Sequence, residues 1–246
     1  MRAALRSELV KQHTTKTALG LLAAMIGLVL ASVLLHGFGF STHQLSLRSN
    51  QLRVFVEAGE SLGAVFGGLI GAMSITAEIR HDTIRPTLLA IPRRGTVITA
   101  KAVTSVLVGF AFGVIATGIA AGIGTAILSA RGVSIHLDAG AYTLLIAGGA
   151  AASALWAVIG VGLGAIVRNQ VVAIIAIFVW IEIIENLVID GAPNVSRYLP
   201  ASLGQAITGD RIGTLHHPLL GAVLLAVYAA AAIAAGWRTI ATHDVA

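Results

Sequence analysis

Cysteine is absent from the sequence, and charged residues make up only 11% of its 246 positions. Without cysteine the chain has neither disulfide bonds nor thiolate ligands for a metal ion. It also lacks a G-x-x-x-x-G-K-[ST] segment, which excludes a P-loop for nucleotide phosphates. The hydrolase signatures G-x-S-x-G and H-E-x-x-H do not occur, and the adjacent His216 and His217 make a poor pair of metal ligands. We therefore expect no catalytic residue, bound cofactor or metal in this chain.

What fills the sequence instead is apolar. Hydrophobic residues account for 57% of the chain and the mean hydropathy is +0.90, more than a soluble domain of this length hides in one core. The length permits about six membrane spans of about 20 residues each and leaves no room for a soluble catalytic domain. The net charge of +5 falls mainly in the loops, so it indicates membrane topology and contact with lipid headgroups rather than nucleic-acid binding.

The apolar segments predict an all-α integral membrane protein, a single transmembrane domain over 1–246. Before the first span, residues 1–16 place Leu5 and Leu9 on one helical face among basic residues. This spacing favours an interfacial helix on the inner leaflet, the alternative being a frayed basic terminus that only sets orientation. We predict six spans over residues 18–36, 58–78, 103–128, 142–167, 171–189 and 219–237.

Two features of the second span bear on its packing. Glu57 and Glu60 lie near its outer end, and we expect both acids at the outer headgroups. Gly63, Gly67 and Gly71 recur every four residues, a stripe of small residues that lets another helix approach closely. The sequence leaves open whether that helix belongs to the same chain or to another subunit.

Basic residues set the predicted orientation, because short loops rich in Lys and Arg stay in the cytosol. With both termini inside, eleven of the 16 Lys and Arg residues fall on the cytosolic side and five on the outer side. The inner set is Arg2, Arg6, Lys11, Lys16, Arg80, Arg85, Arg93, Arg94, Lys101, Arg168 and Arg238. The outer set is Arg48, Arg53, Arg131, Arg197 and Arg211.

The stretch from Glu78 to Lys101 is the one long polar and basic interruption of the apolar sequence. Within it, Pro86 suits a first helical turn and Pro92 forbids continuation, so a helix of about six or seven residues fits between them. Leu88 and Leu89 give that helix an apolar surface flanked by arginines. Such a surface is typical of a docking element rather than of a plain connector.

The order Glu78, Thr83, Leu88–Leu89, Pro92, Arg94, Lys101 resembles the cytoplasmic coupling segment of the ABC-2 family, the permease subunits of bacterial ABC exporters. Asp82 departs from the glycine expected before the threonine, although Asp tolerates tight turns. The resemblance implies a short coupling helix between spans 2 and 3 that sits in a groove of a separate ATPase subunit. It assigns ATPase coupling to Glu78, Arg80, His81, Asp82, Thr83, Arg85, Pro86, Leu88, Leu89, Pro92, Arg93 and Arg94.

The same resemblance implies the rest of an exporter. We expect two ABC ATPase subunits that bind ATP and Mg²⁺, a second permease copy or a sister permease, and a bacterial inner membrane. Between spans 5 and 6, where the sequence runs Tyr198-Leu199-Pro200 with Leu203 and Ile207 following, the family holds short helices that dip back into the outer leaflet. Short outer loops favour a small amphiphilic cargo, drug-like or lipid-like, over a polymer.

The fifth span contains Glu182, Glu185 and Asn186, with the two acids roughly 17 and 21 Å from the inner turn. Acids at that depth are expensive unless they face water or a partner. One interpretation is that the three residues line a translocation path; the other is that they anchor the segment that follows. Competing functions also use this pair: an ion-coupled carrier or channel, or a small intramembrane enzyme with the acids as acid and base.

Overall fold

The structure is a computed structural model that describes residues 7–8, 10–11, 16–47, 51, 55–81, 83, 94–209 and 216–242. These residues form helices and connecting turns, and no strand occurs among them. Six helices are long and apolar enough to cross a membrane, which confirms the predicted all-α membrane fold. We refer to them as spans 1 to 6: Lys16–Gly39, Ala58–Arg80, Gly95–Ala130, Ala139–Val167, Gln170–Gly191 and Pro218–Ile240.

Shorter elements make up the rest of the described residues. The helix Thr42–Leu45 follows span 1, and a π-helical turn, Val56–Ser61, leads into the helix Leu62–Arg80 of span 2. Span 5 is built from Gln170–Val179, a second π-helical turn, Trp180–Ile184, and Glu185–Gly191. The helices Pro193–Ser196 and Pro200–Ile207 then precede the last helix, Pro218–Thr242. We call Pro200–Ile207 the outer helix.

Spans 2 and 4 lie at the centre of the fold. The most apolar window of span 2 is 72% buried and that of span 4 is 61% buried, against 17 to 22% for spans 1, 5 and 6. In a bilayer, exposed apolar side chains on the outer three spans face lipid, so low burial there costs nothing. The central pair forms the frame on which the remaining helices pack.

Close contacts at glycine residues pack spans 2 and 4 tightly against each other. A Cβ added to Gly67 would lie 2.5 Å from the backbone oxygen of Ser153, and one added to Gly71 would collide with that of Ala157. Gly160 of span 4 approaches the backbone of Gly68 in the same way. The Gly63, Gly67 and Gly71 stripe therefore packs inside the chain, against span 4, rather than against another subunit.

Span 3 differs from its predicted bounds. Its helix covers Arg94–Ala130, so it begins nine residues before the predicted start at 103, and Lys101 is helical rather than part of a loop. Val97 and Ile98 are buried in this extension, and Ile98 packs with Ile75 and Ile240 in a small inner core. The hydropathy pattern missed these turns because their apolar side chains contact protein, not lipid.

The turn between spans 4 and 5 is short, as predicted. Arg168 ends span 4 in the left-handed conformation, with φ of 56°. The Asn169 side chain then accepts hydrogen bonds from the backbone N–H groups of Val171 and Val172, which satisfies two orphan donors of the new helix. The chain reverses within two residues, so spans 4 and 5 are antiparallel neighbours.

The outer helix folds back along the spans. Its Leu203 is fully buried and packs in the main core with Leu225 of span 6. The backbone oxygen of Ile207 would lie 2.5 Å from a Cβ on Gly148, which is roughly 14 Å along span 4 from its outer end at Ala139. The outer helix thus packs well below the ends of its neighbours, and its entry into the outer leaflet stays a prediction.

Candidate functional site

At the end of the fold that is predicted to face the cytosol, which we call the inner end, acceptors enclose Lys101. Its Nζ lies 2.9 Å from Glu8 Oε2 and 2.9 Å from Glu78 Oε1, and it donates to the backbone oxygen of Ser74 at 2.8 Å. Only 1% of Lys101 is exposed. The ammonium group has three donors and three partners, and these interactions offset the cost of desolvating the buried charge.

Lys11 completes the arrangement. Its Nζ lies 3.1 Å from Glu8 Oε1 and 2.8 Å from Glu78 Oε1, so two lysines and two carboxylates alternate with no net charge. We call these four residues the inner charge cluster. Burial lowers the pKa of Lys11, but the hydrogen bond and charge of Glu78, with those of Glu8, outweigh it and raise the pKa above 10.5.

The inner charge cluster joins the two ends of the predicted coupling segment. Glu78 stands near the end of span 2 and Lys101 near the start of span 3, on either side of residues 82–93. The backbone N–H of Thr83 donates to the backbone oxygen of Glu78 at 2.9 Å. Glu8 brings the N-terminal segment into the same cluster, so three parts of the chain are tied together at one point.

Most predicted coupling residues lie outside the described residues, and with them the predicted short coupling helix. These are Asp82, Arg85, Pro86, Leu88, Leu89, Pro92 and Arg93. Arg80 donates to Gln170 Oε1 at 3.3 Å, His81 ends the span 2 helix on the surface, and Arg94 begins the next helix. Of the predicted interfacial helix over 1–16, residues 7, 8, 10, 11 and 16 are described; all five are helical, and Lys16 begins span 1.

In the outer half of the fold, a cavity of about 420 Å³ opens between spans 1, 2 and 5 and the outer helix. We call it the outer cavity. Its polar lining consists of Ser32, His36, Glu60, Ser61, Glu182, Asn186 and Gln205. The apolar lining includes Leu28, Leu35, Leu62 and Ile181. Ser61 Oγ donates to Glu182 Oε1 at 2.9 Å, so spans 2 and 5 are hydrogen-bonded at its wall.

Glu60 is a correction to the sequence analysis. We expected this acid at the outer headgroups, but only 1% of it is exposed, and a Cβ on Gly204 of the outer helix would meet its Oε1. The outer helix covers Glu60, and no local pattern in span 2 indicates this contact. Glu60, His36 and Gln205 are cavity residues that the sequence analysis did not identify.

Glu182 and Glu185 turn out to have different surroundings. Glu185 is 1% exposed and its carboxylate accepts from the backbone N–H groups of Ala201, at 2.8 and 2.9 Å, and Ser202, at 3.1 Å. Trp180 Nε1 donates to it at 2.6 Å. Glu185 therefore caps the start of the outer helix, whereas Glu182 lines the outer cavity together with Asn186.

The different surroundings of Glu182 and Glu185 disfavour joint acid and base catalysis by the two residues. The Glu185 carboxylate accepts from three donor groups, two of them on the outer helix and one on Trp180 of its own span, so it is poorly placed to exchange a proton with a substrate beside Glu182. In the described part of the chain, no three His, Asp or Glu side chains gather as metal ligands would. What the outer cavity offers is binding: an apolar wall with a few converging polar groups.

The six apolar helices of the described residues define a multi-pass membrane protein, with a buried charge cluster at one end and a lined cavity towards the other. Residues 4–183 match the family described as ABC-2 family transporter protein, and the chain belongs to this family. A search of curated proteins gives no match. The protein is thus a transmembrane subunit of an ABC transporter rather than an enzyme, in a family that associates with an ABC ATPase and the membrane.

Proposed function

We propose that this chain is the permease subunit of an ATP-driven exporter that moves a small amphiphilic compound out of the cell. Two ABC ATPase subunits bind ATP and Mg²⁺, and a second copy of the chain or a sister permease completes the translocation path. The assembly lies in a bacterial inner membrane with both termini in the cytosol. No cofactor is bound by this chain.

The observation that carries this proposal is the inner charge cluster. It holds both ends of the segment over 82–93 at one point, since Glu78 precedes the segment and Lys101 follows it. Removing Lys101 leaves the buried acids Glu8 and Glu78 only partly compensated by Lys11, at a cost near the lower end of about 3–5 kcal/mol. A segment anchored in this way passes a displacement at its tip to spans 2 and 3 instead of absorbing it as loop motion.

The packing above the cluster supports transmission further into the membrane. Spans 2, 3 and 4 touch backbone to backbone at Gly71, Gly109 and Gly160, and packed elements of this kind shift between discrete arrangements rather than bending. Span 2 runs from the inner charge cluster to Ser61 at the outer cavity. A force from ATPase closure thereby reaches the cavity through one helix.

The outer cavity supports a small cargo. A volume of about 420 Å³ falls within the range of roughly 300–1,000 Å³ that holds drug-sized ligands. Its lining mixes leucine and isoleucine side chains with polar groups, which suits a compound with an apolar body and one polar end. The size does not suit a polymer.

An affinity-tagged chain tests the proposal. We expect an ABC ATPase to co-purify with the native chain and to be lost when Leu88 and Leu89 are both replaced by Asp. Replacing both leucines by Met is the matched control, because it keeps the apolar surface, and the ATPase should be retained. Inverted membrane vesicles should accumulate the cargo only with hydrolysable ATP. Ion flux or chemical turnover by the purified chain alone would instead favour the carrier or enzyme hypotheses.

A further inference from the structure

We propose that the outer cavity selects amphiphiles that carry one cationic group, held by the carboxylate of Glu182, with the buried carboxylate of Glu60 adding negative charge behind the cavity wall. This inference deepens the proposed function, since it names the charge class of the cargo. It commits to a chemical class that the family membership leaves open. The binding event itself requires no ATP, so it can be tested apart from the exporter.

Side chains from four elements converge on the outer cavity, which supports a binding site there. The polar residues of the outer cavity come from separate elements, with His36 on span 1, Glu60 on span 2, Glu182 on span 5 and Gln205 on the outer helix. They meet at one wall, although Glu60 and Glu182 are 122 positions apart in the sequence. Groups brought together from four elements around a cavity of about 420 Å³ constitute a formed pocket rather than a surface cluster of acids.

The charge of the cavity lining favours a cation over an anion. Among the described residues that line the outer cavity, two are carboxylates and none is Lys or Arg. Acids inside the membrane are costly and are placed opposite a partner or a water-filled path. In such surroundings an opposite charge is attracted far more strongly than in bulk water, whereas an anionic ligand is repelled by both carboxylates.

The carboxylate of Glu182 can accept further hydrogen bonds. Ser61 Oγ donates to one of its oxygens, and an ionised carboxylate accepts about four hydrogen bonds in total. Ser61 therefore orients the carboxylate without occupying it. Glu185, three residues on, is different, because backbone N–H groups of the outer helix and the Trp180 indole already bind it.

The apolar wall of the outer cavity extends along span 1. Leu28 and His36 of span 1 both line the cavity, and eight residues of helix separate them by about 12 Å along the axis. His36 is near the outer end of span 1 and Leu28 is deeper. A ligand in the cavity thus places its cation near Glu182 and its apolar body along span 1.

The test uses two ions of the same size and opposite charge, tetraphenylphosphonium and tetraphenylborate. The full chain, with any ATPase that co-purifies, is placed in lipid nanodiscs, and binding is measured by equilibrium dialysis against empty nanodiscs. We expect saturable binding of the phosphonium and none of the borate. Glu182→Gln should weaken phosphonium binding by about tenfold or more, and Glu182→Asp, which keeps the charge, should retain most of it.

Asp190→Asn is the matched control, because this exposed acid on the same helix does not line the cavity, and binding should be unchanged. Glu60→Gln removes the charge behind the wall and should weaken binding less than Glu182→Gln does, provided that it elutes as the same oligomer. Equal binding of both ions, or no effect of Glu182→Gln, would overturn the inference. Absence of saturable phosphonium binding by the native chain would overturn it too. Loss of ATPase association with cation binding intact would refute the exporter alone.

Discussion

Replacing Lys101 by methionine removes the central cation of the inner charge cluster and leaves two carboxylates facing each other in a buried site. Lys101 is 1% exposed, Glu8 5% and Glu78 8%, so water cannot readily replace the lost partner. Removing one member of a buried ion pair costs about 3–5 kcal/mol. Lys11 still contacts both acids, which puts the expected loss at the lower end, near about 3 kcal/mol.

The assay is thermal unfolding of the detergent-purified chain, followed by loss of the monodisperse peak in size-exclusion chromatography. For chains of this length, about 3 kcal/mol corresponds to a decrease of about 6–12 °C in the unfolding midpoint. Lys16→Met is the control, because it removes an exposed lysine from the same side of the fold and should change stability by less than about 0.5 kcal/mol. Equal midpoints for the two variants would refute the argument that the cluster is buried and structural.

A triple variant separates stability from transmission. Lys101→Met combined with Glu8→Gln and Glu78→Gln removes the buried charges together, and neutral replacement of a buried network is often tolerated. We expect the free energy of unfolding to return to within about 1 kcal/mol of that of the native chain. ATP-driven transport by the triple variant should remain below that of the native chain. Full transport by the triple variant would show that charge pairing at this point is not needed for coupling.

Three smaller perturbations check the packing, the outer helix and the pH dependence. Gly71→Ala places a Cβ against the Ala157 backbone oxygen and should destabilise the chain by about 1–3 kcal/mol in thermal unfolding, whereas Gly118→Ala, which meets no atom within 4 Å, should be neutral or stabilising. Glu185→Ala strips the cap of the outer helix, at a cost of about 1–3 kcal/mol, and should speed amide exchange at the start of that helix. The raised pKa of Lys11 means that its stabilising contribution is complete at neutral pH and is lost only as pH rises above 10.5, which the difference between the native chain and Lys11→Met measures.

Hydropathy alone predicted the number and order of the spans, because lipid requires long apolar helices whatever their packing. It could not predict the start of the third helix. The turns from Arg94 to Lys101 combine polar residues, among them the exposed Thr99 and the buried Lys101, with the buried Val97 and Ile98, so their mean hydropathy is that of a soluble segment. Protein contacts, not the bilayer, fix this boundary.

The candidate site was predictable only in part. Glu78 and Lys101 were both selected from the sequence, as the limits of one segment, but their contact at 2.9 Å depends on how spans 2 and 3 pack. Glu8 and Lys11 were assigned to an interfacial helix, and their opposite charges three residues apart were the available signal. Nothing local predicts that this pair meets Glu78 across nearly seventy positions.

The glutamates of span 5 show a different limit. Spacing of three residues puts two side chains on one face of a regular α-helix, and the sequence analysis relied on that rule. The π-helical turn Trp180–Ile184 changes the local phase, so Glu185 meets the outer helix and Glu182 meets the outer cavity. Such turns recur at functional sites, and they depend on tertiary packing that periodicity does not record.

Span 2 is the element that joins both candidate sites. Its inner end contributes Glu78 to the charge cluster, its middle is locked to span 4 through glycines, and its outer end contributes Glu60 and Ser61 to the cavity. Because close glycine contacts join spans 2 and 4, we expect these two spans to move as one body and the less buried spans 1 and 5 to shift against them. The outer cavity lies on that boundary, between span 2 on one side and spans 1 and 5 on the other. We therefore expect motion imposed at the inner end to change the cavity's width before it changes the contacts between spans 2 and 4.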